Sequence, residues 1–449
     1  MITSVLIANR GEIALRVART CRELGLRSIA VYTTADADSA VVRFADQAIR
    51  IGAGPAKSSY LHIPALIEAA RMSGADAVHP GYGFLSEDPD FAEVCAAEGL
   101  TFIGCPAKVM TELGDKARAR ATMLDAGLPL LPGSRDPITD PEAAAAFATE
   151  IGYPVIVKAV AGGGGRGMAV VRDPAEFPEA FARTRATALA VFGDGRLYVE
   201  RYLESARHVE IQVLADMHGT VVHLGARDCS LQRRHQKLVE ESPAPGIPAE
   251  VLENMGAMAV RGALASGYVG AGTFEFLLDP ADHRFYFMEV NCRLQVEHPV
   301  TEMVTGIDLV HEQIRIAAGE ELGYGQDDVS QQGVALECRI NAEDPARDFA
   351  PTPGELTECD LPGGPFVRVD SHARLGYRVP ALYDSLLAKV IVWAPDRVTA
   401  IARMRRALAE LRMGGPAVST TADFVDGLID HERFRQVRHD TAMVASLSS

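Results

Sequence analysis

Two aromatic-rich segments flank a short turn, and this pattern constrains the fold more than any other feature of the chain. Residues 273–277 and 285–289 have the aromatic composition typical of strands, and Asp-Pro-Ala-Asp-His at 279–283 is typical of a turn. Together the three segments predict an antiparallel hairpin.

The predicted hairpin brings two carboxylates together. If its turn is centred on Asp282, Glu275 lies opposite Glu289. Thr273 then lies opposite Asn291. Opposite residues have Cβ atoms about 5 Å apart, so two carboxylates repel each other unless a cation lies between them. The oxygen atoms of Glu275, Glu289 and Asn291 suit Mg²⁺ better than zinc, and these three residues are the predicted metal ligands.

The alternation of a strand continues beyond the hairpin. Polar residues occupy every second position: Glu289, Asn291, Arg293, Gln295 and Glu297. The residues between them are apolar, which predicts a strand to residue 297 with Cys292 packed on its buried face. A solvent-exposed polar face is the ordinary interpretation of one such strand. The length of this row and the metal-type residues at its start favour a functional site.

The remaining chain alternates strands and helices. Segments 4–8, 29–32, 77–79 and 101–103 have the pattern of strands, and 13–24 has that of a helix, which predicts an N-terminal parallel sheet.

A smaller unit follows the N-terminal sheet. A helix is predicted at 141–150, with strands at 154–158 and 197–200. From about residue 204 the pattern is mainly that of strands, beginning with 208–213.

Three further motifs are rich in glycine or in basic residues. Lys158 precedes the glycine run 162–165, which could cover a nucleotide as a flexible lid, although an ordinary glycine turn has the same pattern. The basic cluster 232–237 could attract an anion, although it could equally be a salt-bridged surface patch. The motif at 79–84 follows a strand, where α/β sheets bind ligands, and its alternative is a tight structural turn.

Composition excludes several classes of protein. The net charge of −16 argues against nucleic-acid binding. The seven cysteines form no Cys-x-x-Cys motif, which predicts reduced thiols in a cytoplasmic protein without a structural zinc site. We expect no secretion signal and no membrane span, because the start lacks a basic leader and no apolar run approaches about 20 residues. Gly11 alone follows the first strand, so a dinucleotide fingerprint is missing.

Lysine is scarce, and its positions therefore draw attention to places where a compact charge is used. The six lysines are Lys57, Lys108, Lys116, Lys158, Lys237 and Lys389.

Ten motifs in a fixed order identify a family resemblance. They are IANRGEIALRV, HPGYGFLSE, GDK, GYPVIVKA, GGGGRGM, RHVEIQVLAD, RDCSLQRRHQK, GAGTFEF, QVEHPVTE and ECRINAEDP. Together they resemble the biotin carboxylase family within the ATP-grasp superfamily. The resemblance implies an α/β fold with an N-terminal domain at 1–113, an ATP-grasp domain at 114–330 that includes a lid at about 131–203, and a C-terminal mixed β domain at 331–449.

The resemblance also implies roles for individual residues. Glu297 would be the general base, and Lys237, Arg293 and Arg339 would complete the catalytic set. Tyr82 and Arg339 would lie beside the biotin ring. Contacts to nucleotide or bicarbonate are implied for Lys116, Lys158, Gly163, Gly164, Gly165, Glu200, Leu203, His208, Gln232, His235, Gln295 and Val296. The implied metal ligands are the three that the hairpin predicts.

The implied reaction uses ATP, Mg²⁺ or Mn²⁺, and bicarbonate to carboxylate biotin. No lysine lies in a Met-Lys-Met context, so this chain carries no biotin of its own. We expect the biotin to be held on a separate carrier protein, and the alternative is that the chain is a fragment of a larger multidomain carboxylase. Further expectations are a homodimer and a carboxyltransferase partner that carboxylates an acyl-CoA, first of all acetyl-CoA. The chain departs from the common pattern at Val160-Ala161 before four glycines, at Arg201 and at Cys292.

Three alternatives stay open. Another ATP-grasp ligase would activate a carboxylate as an acyl phosphate, but Tyr82, Lys237, Arg293, Glu297 and Arg339 match bicarbonate and biotin chemistry better. A regulatory protein without activity conflicts with the intact metal-type set. A nicotinamide oxidoreductase is the weakest, because the glycine fingerprint is missing.

Overall fold

A parallel β-sheet forms the start of the chain in the computed structural model, which describes residues 2–134, 136–161 and 167–447. Its elements are β1 (Ser4–Ile7), α1 (Gly11–Glu23), β2 (Arg27–Thr33), α2 (Ala40–Phe44), β3 (Gln47–Gly52), α3 (Ile63–Ser73), β4 (Ala77–His79), α4 (Pro89–Ala97) and β5 (Thr101–Phe102). The strand order is β3-β2-β1-β4-β5, and every pairing is parallel. The predicted N-terminal parallel sheet is confirmed.

Local sequence explains the first helix. Ile13, Val17 and Cys21 recur at helical spacing, and all three are buried. Gly25 follows the helix with φ +70°, a left-handed conformation that favours glycine and lets the chain turn into β2.

Two helices connect this sheet to the rest of the chain: α5 (Ala107–Gly114) and α6 (Lys116–Asp125). The Asp115 side chain accepts hydrogen bonds from the backbone N–H groups of Ala117 and Arg118. This N-cap starts α6 and fixes Lys116 in its first turn.

A small unit with its own sheet follows. It contains α7 (Pro141–Ile151), β6 (Val155–Ala159), β7 (Met168–Val171), α8 (Phe177–Phe192) and β8 (Leu197–Arg201). The three strands pair antiparallel in the order β7-β6-β8.

An eight-stranded antiparallel sheet is the centre of the molecule. The elements from 207 to 317 are β9 (Arg207–Ala215), β10 (Val221–Arg233), β11 (Gln236–Ser242), α9 (Ala249–Ser266), β12 (Gly270–Leu278), β13 (Phe285–Asn291), α10 (His298–Thr305) and α11 (Leu309–Ala317). The sheet order is β13-β12-β9-β10-β11, continued by three later strands. Phe274, Phe276 and Phe287 pack on one face with α9, which leaves the opposite face of the hairpin for polar side chains.

The C-terminal part continues the same sheet. Its elements are β14 (Val334–Asn341), β15 (Glu343–Asp344), β16 (Ala350–Pro351), β17 (Gly354–Glu355), β18 (Glu358–Asp360), β19 (Val367–Ser371), β20 (Arg378–Val379), β21 (Leu386–Ala394), α12 (Arg397–Glu410), β22 (Arg412–Gly414), α13 (Ala422–Asp430), α14 (Glu432–Arg435) and α15 (Met443–Leu447). Strand β14 pairs with β11, and β21 and β19 follow it. The main sheet thus crosses the predicted boundary near residue 330, and the division into domains stays a prediction. The mixed α/β class is confirmed.

The hairpin has the register that its sequence predicts. Glu275 pairs with Glu289, and Thr273 pairs with Asn291. The prediction that the strand extends to residue 297 is wrong, because β13 ends at Asn291. There the backbone N–H of Cys292 donates to the Glu87 side chain at 2.7 Å instead of to a strand. Cys292 is buried, as its predicted packing role requires.

No helix in the described ranges is long and apolar enough to cross a membrane.

Candidate active site

Three carboxylates surround one lysine on the polar side of the main sheet. The Lys237 Nζ atom lies 2.6 Å from Glu210 Oε2, 3.1 Å from Glu275 Oε1 and 2.5 Å from Glu297 Oε1. The three carboxylates come from β9, β12 and the turn before α10. Although burial alone would lower it, the charges of Glu210 and then Glu275 hold the pKa of Lys237 well above its ordinary value. Lys237 is therefore a permanent cation at the centre of this cluster.

A fully buried arginine, Arg227, contacts one of the three carboxylates of the cluster. Register partners on neighbouring strands place Glu210 between Glu275 and Arg227. Arg227 Nε donates to Glu210 at 2.5 Å, and its Nη1 donates to both Gln212 at 2.8 Å and Thr301 at 2.9 Å. Because these contacts satisfy both the arginine and the carboxylate, Glu210 is held rigidly beside Lys237.

Glu297 lies between two cations. One oxygen contacts Lys237 and the other lies 2.9 Å from Arg339, whose guanidinium also pairs with Glu240 at 2.6 Å. Although burial raises it, Lys237 and then Arg339 lower the pKa of Glu297 well below its ordinary range. Glu297 is therefore ionised at neutral pH and able to accept a proton once a ligand draws Lys237 away.

The hairpin end of the site carries the predicted metal ligands. Asn291 Nδ2 donates to Glu275 Oε1 at 2.9 Å, and His208 Nε2 lies 3.1 Å from Glu275 Oε2. Glu289 is exposed as a residue, but neighbouring protein atoms keep part of the water away from its carboxyl group. This desolvation and then the charge of Glu275 raise the pKa of Glu289. Two neighbouring carboxylates and an amide oxygen are ligands that fit a hard divalent cation such as Mg²⁺.

Arg293 and Gln295 reach the same place from a loop. Arg293 donates to Asn291 Oδ1 at 3.0 Å and to Gln295 Oε1 at 2.9 Å. Its Nε atom donates to Glu87 at 2.8 Å, and Gln295 Nε2 lies 3.4 Å from Glu275. The predicted grouping of these side chains is thus present, although a loop and not a strand produces it.

The small unit contributes a second group of predicted residues. Lys158 Nζ lies 2.6 Å from Glu200 Oε2, and Arg120 lies 2.8 Å from the other oxygen. The charge of Lys116 acts on both Glu200 and Glu289. Lys116 therefore lies within electrostatic range of both carboxylates.

The other predicted nucleotide contacts lie around this opening. Gln232 is half-buried opposite Lys237 on the β10–β11 hairpin. His235 lies at the turn of this hairpin. Partial loss of solvent around its ring and then the charge of His208 lower its pKa. Leu203 is half-buried just after β8. Gly163, Gly164 and Gly165 lie outside the described residues.

Tyr82 and Val296 complete the predicted set. Tyr82 donates its hydroxyl hydrogen bond to Glu12 Oε1. The Val296 carbonyl accepts a hydrogen bond from Lys389 at 2.8 Å.

Cys229 is a packed thiol. It is buried with its sulfur 4.0 Å from Glu297, and burial raises its pKa well above the ordinary value. A neutral buried thiol is a poor nucleophile, so Cys229 has a packing role and not a chemical one.

Several charged residues of the site were missed from the sequence: Glu12, Glu87, Arg120, Glu210, Arg227, Glu240 and Lys389. Two of them had a signal in the sequence. His208, Glu210 and Gln212 alternate on one face of a predicted strand, and Lys389 is one of only six lysines.

Three family models match the chain in order. They are the biotin carboxylase N-terminal domain at residues 1–110, the carbamoyl-phosphate synthase L chain ATP-binding domain at 115–324, and the biotin carboxylase C-terminal domain at 337–446. The chain belongs to the biotin carboxylase family. It is an ATP-grasp ligase.

Relatives of known name cover almost the whole chain. Biotin carboxylase 1 of Bacillus subtilis is 52% identical over 434 residues, which are 97% of this chain and 96% of the relative. A pyruvate carboxylase subunit of Methanothermobacter thermautotrophicus is 50% identical over 97% of this chain and 88% of its own length.

Solved biotin carboxylase structures have the same fold. The Campylobacter jejuni biotin carboxylase–βγ-ATP complex superposes with a TM-score of 0.95 at 47% identity, covering 99% of both chains. The biotin carboxylase domain dimer of Hydrogenobacter thermophilus 2-oxoglutarate carboxylase, with MgADP, ADP and bicarbonate, gives 0.94 at 46% identity, covering 99% of this chain and 98% of that one.

Proposed function

We propose that this chain uses MgATP and bicarbonate to carboxylate biotin on a separate carrier protein through carboxyphosphate, as the first half-reaction of an acyl-CoA carboxylase. The observation that carries the proposal is the position of Glu297 between Lys237 and Arg339, at 2.5 and 2.9 Å. An ionised base with two adjacent cations fits an anionic substrate that must lose a proton.

Bicarbonate is proposed to bind among Lys237, Arg293, Gln295 and Val296. An anion beside Lys237 would share that ammonium and weaken its contact with Glu297. The pKa of Glu297 would then rise from its depressed value, which makes the carboxylate a better base when substrate arrives. The base is thus held inactive by Lys237 until bicarbonate enters.

The first chemical step joins bicarbonate to the γ-phosphate of ATP. A bicarbonate oxygen attacks phosphorus, the bond to ADP breaks, and Glu297 takes the bicarbonate proton. Lys116 and Lys158 are proposed to neutralise the phosphate oxygens. Lys158 must leave its ion pair with Glu200 to do so, and Arg120 remains to pair with that carboxylate.

Glu275, Glu289 and Asn291 would hold Mg²⁺. The bound ion would neutralise negative charge on the phosphoryl group during its transfer. The Lys237 contact to Glu275 keeps one of these oxygens in place in the absence of ligand.

The second step transfers the carboxyl group. Carboxyphosphate breaks into CO₂ and phosphate, the phosphate takes the biotin N1 proton, and N1 attacks CO₂. Tyr82 and Arg339 are proposed to contact the biotin ring, with Arg293 stabilising the ureido oxygen as negative charge develops on it. Water must be excluded, because it hydrolyses carboxyphosphate.

The acceptor and assembly are the finer parts of the proposal. We propose acetyl-CoA as the final acceptor through a carboxyltransferase partner, and a homodimer of this chain. Reconstitution with the carrier and carboxyltransferase of the same organism tests the acceptor, and light scattering of the purified chain tests the dimer. Turnover with pyruvate or 2-oxoglutarate but not acetyl-CoA would refute the proposed acceptor.

The decisive experiment measures phosphate release by the purified chain with MgATP and bicarbonate, with and without free biotin. Biotin should stimulate release, and Glu297→Gln should lower the stimulated rate by about 10²- to 10⁴-fold, the usual contribution of a general base. Glu241→Gln is the matched control, because Glu241 is also buried and salt-bridged but contacts Arg397. Its rate should stay near that of the unmodified enzyme.

Two results would count against the proposal. Hydrolysis that needs bicarbonate but ignores biotin, even on the carrier, would indicate a different acceptor. Full activity of Glu297→Gln would remove Glu297 as the base.

A further inference from the structure

Lys389 is a fully buried lysine that the proposed reaction does not use. It lies on β21 with no exposed surface. Its Nζ atom lies 2.8 Å from the Val296 carbonyl oxygen and 3.1 Å from Glu12 Oε1, and Asp370 is 3.9 Å away. Burying an ammonium group is costly unless it is paired and hydrogen-bonded, so these contacts account for its presence in the interior.

Strand register places Lys389 directly beside a catalytic residue. It pairs with Arg339 on β14 and with Asp370 on β19. Arg339 contacts the Glu297 carboxylate, while Lys389 contacts the carbonyl of the preceding residue, Val296. Neighbouring cations therefore hold two consecutive residues of the loop, one by its side chain and one by its backbone.

Lys389 also contacts Glu12, which lies on the side of the site where biotin is proposed to bind. Glu12 Oε1, on α1, accepts the hydrogen bond of the Tyr82 hydroxyl and also lies 3.1 Å from Lys389 Nζ. The ammonium lies 5.9 Å from the centre of the Tyr82 ring. One cation thus joins the loop before α10, helix α1 and the turn after β4.

The charge of Lys389 is maintained by its surroundings. Although burial alone would lower it, Glu12 and then Glu337 raise the pKa of Lys389. A neutral side chain of the same length could not hold both a carboxylate and a carbonyl in place.

We propose that Lys389 is a positioning residue for biotin carboxylation. It fixes the Val296–Glu297 segment, where bicarbonate loses its proton, relative to Tyr82, where the biotin ring binds. The inference rests on the proposed function, because the bicarbonate and biotin positions come from it.

The test is steady-state kinetics of Lys389→Met, assayed well below its thermal unfolding midpoint. Displacement of reacting groups by about 1 Å costs about 10²-fold, so kcat for biotin-dependent phosphate release should fall by about 10- to 100-fold. The KM for biotin should rise in the same variant, because Tyr82 loses its fixed acceptor.

Arg397→Met is the matched control. Arg397 pairs with the buried Glu241 carboxylate at 2.7 Å, and Glu241 faces away from Glu240 and the site. This variant should lose thermal stability comparably and keep both kinetic constants. Normal kcat and KM in Lys389→Met would overturn the proposal and leave Lys389 a structural cation.

A second variant covers the case in which Lys389→Met does not fold. Lys389→Met combined with Glu12→Gln leaves no unpaired buried carboxylate at Glu12 and should fold. Its kcat should be low and its biotin KM high, and unmodified constants would overturn the proposal. The unmodified enzyme, assayed in parallel, separates the two ideas: if biotin does not stimulate it, the proposed function fails and this inference fails with it.

Discussion

The pH dependence of stability caused by Glu240 tests the electrostatic environment of the proposed base, because Glu240 shares Arg339 with Glu297. Glu240 is fully buried and pairs with Arg339 at 2.6 Å, and its strand partner is Glu337, also buried. Burial raises the pKa of Glu240 to about 7, with Arg339 opposing and Glu297 adding to the rise. Glu240→Gln removes the titrating group and keeps its shape.

The sign of the effect follows from proton uptake. Between its ordinary value of 4.5 and about 7, Glu240 holds a proton in the folded chain but not in the unfolded chain. Stability should therefore fall as pH rises through this window and level off above it. A rise of that size corresponds to about 3 kcal/mol at most, at 1.36 kcal/mol per pH unit. Glu240→Gln should lack this loss.

Thermal unfolding midpoints of the two proteins from pH 5 to pH 8.5 provide the assay. The variant should gain stability relative to the unmodified chain as pH rises, with the difference smallest near pH 5. Because Glu240 and Glu337 titrate together, the transition will be broad. A midpoint difference that is constant over the whole range, or one that reverses, would show that Glu240 does not hold a proton in this window.

Three further predictions address single contacts. Arg227→Met should lower the calorimetric unfolding midpoint, because removing one partner of the buried pair with Glu210 costs about 3–5 kcal/mol; an unchanged midpoint would show that the pair is dispensable. Glu87→Gln should raise the KM for bicarbonate, since Arg293 loses its 2.8 Å charged partner; an unchanged KM in phosphate-release assays would exclude this role. Cys229→Ala should keep kcat within about threefold, because a buried neutral thiol takes no part in proton transfer, and mass spectrometry after iodoacetamide at pH 8 should find Cys229 unmodified in the folded protein.

Features that depend on local periodicity could be predicted from the order of the amino acids alone. Alternation of period two and a turn centred on Asp282 were enough to place Glu275 opposite Glu289, and the structure has that register. The helical spacing of Ile13, Val17 and Cys21 likewise predicted helix α1 and its buried face. The ten motifs were enough to identify the family, because their order along the chain is specific even though each motif alone is common.

The extension of β13 to residue 297 could not be judged locally. Cys292 leaves the sheet because its N–H donates to Glu87, a residue more than 200 positions earlier. The alternating pattern of residues 289–297 gives no indication of that partner.

Which charged side chains come into contact depends on the three-dimensional fold. Glu210 and Arg227 become neighbours through the β9–β10 register, and Glu12 meets Lys389 across most of the chain. These pairings depend on how strands from distant segments align, and a shift of one residue would turn each side chain to the other face. Local residue patterns carry no information about such alignments, which is why Lys389 stood out in the sequence only as one of six lysines.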